Sequence, residues 1–228
     1  MHSALLVHGA GGGVWEWNCW DAVFQAQRIA TTTIQLQPCT AGLEATTLDN
    51  YRAQVGAALQ ALPRPRALVG ASLGGLLSAW CADQADALVL VNPFPAAPWH
   101  VSVPARDWPD PIPWRRNARL ASTRAAMHDA DEASAVYAFR RWRDESGLAL
   151  RQAQAGVAVD RPQCRVLFVV STRDEDIGVD GARAWAQAWD ARCVQTDALS
   201  HVGPLLGSGA PDIALQTVAW LNRIGAGV

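Results

Sequence analysis

Apolar positions in this chain fall into short uninterrupted runs, separated by longer stretches in which they recur at helical spacing. The runs read as strands over Ala4–Val7, Arg28–Ile34, Ala67–Val69, Ala87–Asn92, Arg165–Ser171 and Arg192–Asp197. Amphipathic spacing between them predicts helices over Trp15–Gln27, Thr47–Ala61, Leu73–Ala82, Gly181–Trp189 and Pro211–Ile224. Alternating strands and helices imply an α/β domain on a mostly parallel sheet of about six strands. From Ala67 onward the strands hold few polar residues, as expected when helices cover both faces.

One interval breaks the alternation. From Pro93 to Pro162 the chain carries eight of its 13 prolines, opening with Asn92-Pro93-Phe94-Pro95-Ala96-Ala97-Pro98. Helical patterns follow around Arg116–Ala130, Asp131–Glu145 and Gly147–Gly156. The apolar content is too thin for an independent core, so residues 93–162 are expected to form a helical lid inserted in a single domain spanning 1–228. An excursion of this length between two sheet strands is usually functional.

Composition narrows the class. A chain of 228 residues, half of them apolar, can bury one full core. Lysine is absent, and the 19 arginines are scattered among 21 acidic residues, so no basic face for nucleic acid is expected. Arg115, Arg116 and Arg119, then Arg140, Arg141 and Arg143, read as solvated helix faces. Five widely spaced cysteines without a C-x-x-C pair point to reduced thiols and no zinc or other metal site. The N-terminus enters a strand at once, and no apolar run approaches the ~20 residues of a membrane span. A cytoplasmic protein without a membrane partner, monomeric or homodimeric, is the expectation.

The most informative stretch is Leu68-Val69-Gly70-Ala71-Ser72-Leu73-Gly74-Gly75. A short strand, a serine framed by glycines and the start of a helix make a G-x-S-x-G nucleophile elbow in the context it requires. Gly70 and Gly74 leave room where strand and helix cross, and the helix N-terminus favours negative charge beside Ser72. The plainer reading is a glycine-rich strand–helix turn. A serine hydroxyl needs a base, and the base needs an orienting group. His201, in Leu199-Ser200-His201-Val202-Gly203-Pro204, lies in a loop after the last strand, at the sheet edge where ligands bind. The carboxylate should come from Thr172-Arg173-Asp174-Glu175-Asp176, with Asp174 first and Asp176 as the alternative. Asp176 could instead cap the following helix.

The loop His8-Gly9-Ala10-Gly11-Gly12-Gly13 suits an oxyanion hole, because small residues let backbone N–H groups approach a developing charge. Ala10 and Leu73 N–H are the expected donors. A dinucleotide-binding loop fits poorly, since Val14 occupies the third glycine position and Gln35 and Gln37 stand where an acid is needed. Eleven tryptophans is a high count. Gly9, Gly11, Trp99 and Trp108 are the candidates for contact with substrate, although core packing is the ordinary role of any one tryptophan.

These residues together resemble the α/β-hydrolase fold family over essentially the whole chain. The order Ser72, Asp174, His201 matches that family, His8-Gly9 is similar to its HG oxyanion motif, and Ser171-x-x-Asp174 to its G-x-x-D acid motif. The chain departs from the pattern by starting directly at the HG strand and by carrying Ser171 for the usual glycine. The run His8–Trp17 also resembles the plant hydroxynitrile lyase and methylesterase branch. Val202 stands where the lyases carry a lysine, which argues against cyanohydrin cleavage. The resemblance implies a minimal α/β-hydrolase fold and a cofactor-free serine hydrolase. Its expected substrate is a carboxylic ester, thioester or lactone of a small to medium apolar or aromatic acyl compound. A carbon–carbon hydrolase, lyase or perhydrolase on the same residues, or a non-catalytic ligand receptor, are the alternatives.

Overall fold

The structure is a computed structural model that describes residues 1–225. In chain order its elements are β1 (Ser3–Val7), α1 (Asn18–Ala26), β2 (Ala30–Ile34), α2 (Leu48–Gln60), β3 (Arg66–Ala71), α3 (Leu73–Trp80) and β4 (Ala87–Val91). They continue with α4 (Leu120–Ala126), α5 (Glu132–Phe139), α6 (Gly147–Gln154), β5 (Arg165–Val170), α7 (Asp180–Ala188), β6 (Arg192–Gln195), α8 (Gly203–Leu206) and α9 (Ala210–Gly225).

The strands form one six-stranded sheet in the order β2-β1-β3-β4-β5-β6, and each adjacent pair is parallel. The chain steps outward from β1 to β2 and then returns to β3 on the other side of β1. Loops leaving the carboxyl ends of β1 and β3 therefore diverge around a crevice, the usual ligand position in an open α/β sheet. Val7 pairs with Gly70, so the glycine loop and the serine elbow emerge side by side.

Strand alternation divides the core in two. Leu5, Val7, Leu68, Leu88, Leu90, Phe168 and Val170 pack with Tyr51 and Val55 of α2, Leu76 and Leu77 of α3, and Trp185 of α7. Ala4, Leu6, Val69, Val89 and Val169 face Trp20 and Phe24 of α1 and Val218 and Leu221 of α9. Each large side chain so buried contributes about 1.5–3 kcal/mol.

Element ends differ from the periodicity for local reasons. The second strand starts at Ala30 rather than Arg28, because Arg28 has a positive φ of 61° and closes the turn after α1. The first helix is split into a 3-10 turn over Val14–Trp17 and then α1. In the β4–β5 connection the helical patterns run too long. The Asp144 carboxylate holds the Arg115 and Arg116 N–H groups in a turn, which delays α4 to Leu120. Beyond α5, Arg143 and Glu145 are drawn out of the helix to pair with Gly11 and Ile112.

The α3–β1 crossing has no spare room. A Cβ on Gly74 would lie 2.4 Å from the carbonyl oxygens of both Val7 and His8. Gly74→Ala is expected to destabilise the fold by at least the roughly 1–3 kcal/mol of an overpacked core, read as a lowered urea midpoint. A midpoint equal to that of the wild type would mean that α3 can move away from β1.

Candidate active site

Ser72 sits between β3 and α3 with φ 52° and ψ −123°, a conformation that costs a non-glycine residue of order 1–3 kcal/mol. The strain is held in place from both sides. The Ser72 N–H donates to Val91 O at 3.0 Å, and Ser72 O accepts from Gly75, Leu76 and Phe94 N–H groups. The turn presses the side chain out of the chain's path and toward the crevice.

The loop after β6 brings His201 to that side chain. Ser72 Oγ donates to His201 Nε2 at 2.9 Å, and His201 Nδ1 donates to Asp174 Oδ2 at 2.6 Å. Asp174, after β5, is buried and its Oδ1 accepts from the Asp176 and Ile177 N–H groups at 3.0 and 3.2 Å. The carboxylate is thereby locked with one oxygen on backbone and one on the imidazole. Asn92, at the end of β4, secures the same corner. Its amide donates to His201 O at 2.7 Å and to Ser171 Oγ at 2.8 Å, while its Oδ1 accepts from Ser171 N–H.

Asp176 is placed differently. Its carboxylate is half-exposed and pairs with Arg106 at 3.3 Å, so of the two carboxylates it is Asp174 that faces His201.

The glycine loop after β1 is set by His8. Leu36 N–H donates to His8 Nε2 at 3.1 Å, which leaves the proton on Nδ1 to be donated to Gly9 O at 2.7 Å. Burial lowers the His8 pKa to about 4, so the ring is neutral and this tautomer persists at physiological pH. Gly12 N–H also donates to Gly9 O, at 3.3 Å. The Gly9–Ala10 peptide is planar, so anchoring its carbonyl aims the Ala10 N–H the opposite way. Among the described residues, neither Ala10 N–H nor Leu73 N–H is taken by a protein acceptor.

A cavity of about 590 Å³ opens above these groups. Ala10, Ser72 and His201 are exposed in it, and Phe94, Trp108, Ile112 and Trp114 supply much of its apolar wall. Trp108 lines the cavity. Trp99 is not at the cavity: it stacks on Trp185 at 5.9 Å with the rings 14° apart. Proximity of Trp99 to the other insertion tryptophans in sequence misled, because the indole found a partner on α7 instead. Gly9 and Gly11 lie beneath the surface, Gly9 against the Ser72 side chain and Gly11 under the Trp114 ring. Periodicity missed Ile112 and the tether Asn92, although Asn92 before a proline at a strand end is a visible signal.

A model of the alpha/beta hydrolase family matches residues 4–212. The chain belongs to the alpha/beta hydrolase family. No curated protein matches its sequence. Solved structures share its fold at low identity. Tomato methylketone synthase I, in complex with 2-tridecanone, is 15% identical with a TM-score of 0.77, over 97% of this chain and 98% of that one. A methylesterase from Arabidopsis is 14% identical with a TM-score of 0.72, over 96% of this chain and 100% of the other. A pyrethroid hydrolase from Sphingobium faniae JZ-2 is 16% identical with a TM-score of 0.74, over 99% of both chains.

Two titratable groups of this alpha/beta hydrolase, His201 and Glu16, are shifted by their surroundings. Burial disfavours the His201 imidazolium, but the charge and hydrogen bond of Asp174 outweigh it and hold His201 above the ordinary histidine range. Glu16, buried behind the glycine loop, is pushed up to about 8 by burial, with the Gly13 N–H bond opposing. It is therefore mostly protonated at neutral pH and adds little charge behind the loop. Among the described residues, no cluster of His, Cys, Asp and Glu is placed to hold a metal ion, and no helix is long and apolar enough to cross a membrane.

Proposed function

We propose that this alpha/beta hydrolase is a serine hydrolase. Its substrate would be a carboxylic ester, thioester or lactone of a small to medium acyl compound with an apolar or aromatic portion. One observation carries the reading: the line Asp174–His201–Ser72 ends at the floor of an apolar cavity beside two unclaimed N–H groups. Ser72 Oγ attacks the carbonyl carbon as its proton passes to His201 Nε2. Asp174 stabilises the imidazolium, and Ala10 and Leu73 N–H groups hold the oxyanion, each worth about 2.7–4 kcal/mol in such a role. His201 returns the proton to the departing alcohol or thiol, leaving an acyl-enzyme on Ser72. Water, deprotonated by His201, then attacks the acyl carbon, and His201 returns that proton to Ser72 Oγ as the acid leaves. The β4–β5 connection, which supplies most of the cavity wall, serves as the lid.

The reading has a substrate-independent test. A fluorophosphonate probe should label Ser72 alone, mapped by peptide mass spectrometry, and a panel of aryl and alkyl esters beside carbon–carbon substrates then assigns the bond. Folded protein that stays unlabelled, or labels elsewhere, would count against it.

The pH dependence follows from His201. The base must be neutral to accept the Ser72 proton, and its pKa in the free enzyme is raised by Asp174. Activity is thus present above that pKa and lost as pH falls through it. The acid limb of kcat/KM is expected to lie above the histidine reference of about 6.5. A limb well below that value would mean that Asp174 does not act on His201.

A further inference from the structure

We infer that Glu145 is a positioning residue for this reaction, holding the glycine loop so that the Ala10 N–H meets the oxyanion. The inference rests on the serine-hydrolase reading above.

The loop cannot hold itself. Gly9, Gly11, Gly12 and Gly13 offer no side chains, and Gly11 takes a positive φ of 68°. Everything that grips Gly11 comes from the β4–β5 connection. Its buried N–H donates to Glu145 Oε2 at 2.8 Å, its carbonyl accepts from Arg143 N–H at 2.8 Å, and the Trp114 ring covers its Cα. The Glu145 bond fixes the Ala10–Gly11 peptide plane, as His8 and Gly12 fix the Gly9–Ala10 plane. The Ala10 N–H lies in the first plane, which meets the second at the Ala10 Cα, so losing the Glu145 bond removes the downstream anchor that keeps the first plane from turning.

Glu145 is itself anchored. It is buried, its Oε1 accepts from Tyr51 O–H at 2.5 Å and from Ser146 N–H at 2.7 Å, and its backbone pairs with Ile112 of the cavity wall. Three donors satisfy the buried carboxylate. An amide cannot replace it. A glutamine has one acceptor oxygen, so either Gly11 N–H or Ser146 N–H is left facing an NH2 group.

The test compares wild type, Glu145→Gln and Tyr51→Phe. Fluorophosphonate labelling, steady-state kinetics on the best ester, thermal melting and affinity for an arylboronic acid are measured on each. A boronate forms a tetrahedral adduct on the serine with an oxygen in the oxyanion position. Glu145→Gln is expected to lower kcat and the labelling rate about 10- to 100-fold with KM within about threefold, because a misplaced donor is felt in the transition state. Boronate affinity should fall by the same factor. Tyr51→Phe removes a buried bond of Glu145 and leaves the Gly11 bond, so it should lower the melting temperature while keeping kcat within about threefold. A Glu145→Gln enzyme with wild-type kcat and boronate affinity overturns the inference. So does a Tyr51→Phe enzyme that loses as much kcat, since general loosening would then explain both. Wild-type protein that the probe does not label at Ser72 refutes the hydrolase reading itself, a result distinct from either of these.

Discussion

Alanine at position 72 is expected to lower kcat by about a millionfold, to the residual rate that binding and the oxyanion donors alone sustain. The removed atom is the one that forms the acyl bond, and the described structure offers no substitute nucleophile at that point. The fold should survive, because Ser72 Oγ bonds only to His201 and the elbow is held by backbone groups. Alanine meets the same positive φ at the same cost, so the melting temperature should shift little. Kinetics on the best ester, with circular dichroism and a thermal melt alongside, check both halves. A folded Ser72→Ala protein that keeps most of its activity would falsify the proposed mechanism.

Asparagine at position 174 is expected to lower kcat by about 10⁴. The hydrogen bonds around Asp174 give the reason. Its Oδ1 accepts from Asp176 and Ile177 N–H, so an asparagine would keep its carbonyl oxygen there and turn its NH2 toward His201. Nδ1 would then have to accept, the ring proton would move to Nε2, and the base would lose its lone pair toward Ser72. Asp176→Asn is the control. Asp176 pairs with Arg106, and its charge reaches His201 only as a smaller contribution after that of Asp174, so kcat should change by no more than about fivefold. The comparison is made by kcat on one ester for both variants. A larger loss in Asp176→Asn than in Asp174→Asn would reverse the assignment of the acid.

Much of this was legible before folding because it is local. Burial on both sheet faces writes an apolar run at β3, β4 and β5, and the elbow writes its glycines at the positions where a Cβ would strike backbone. The family order Ser72, Asp174, His201 was likewise readable, since each residue follows a recognisable strand. The sequence puts Asp174 ahead of Asp176, but the contacts that separate them are not visible in it. Two carboxylates two residues apart look alike in sequence, and the turn that buries one and leaves the other with Arg106 depends on the Asp174 bonds to Asp176 and Ile177 N–H. The β4–β5 connection was the least legible part. Its helices end where distant groups pull the backbone away, as Gly11 does to Arg143 and Ile112 does to Glu145.

By itself, then, the sequence determined the parallel α/β sheet, the strained serine and the order of the groups around it, because hydrophobic period and steric need act over a few residues. Only the tertiary structure decided which carboxylate faces His201, that Trp114 rather than Trp99 walls the cavity, and that Glu145 bonds the glycine loop. Those outcomes come from contacts between segments many residues apart, where packing and hydrogen-bond satisfaction, and not local pattern, select the partner.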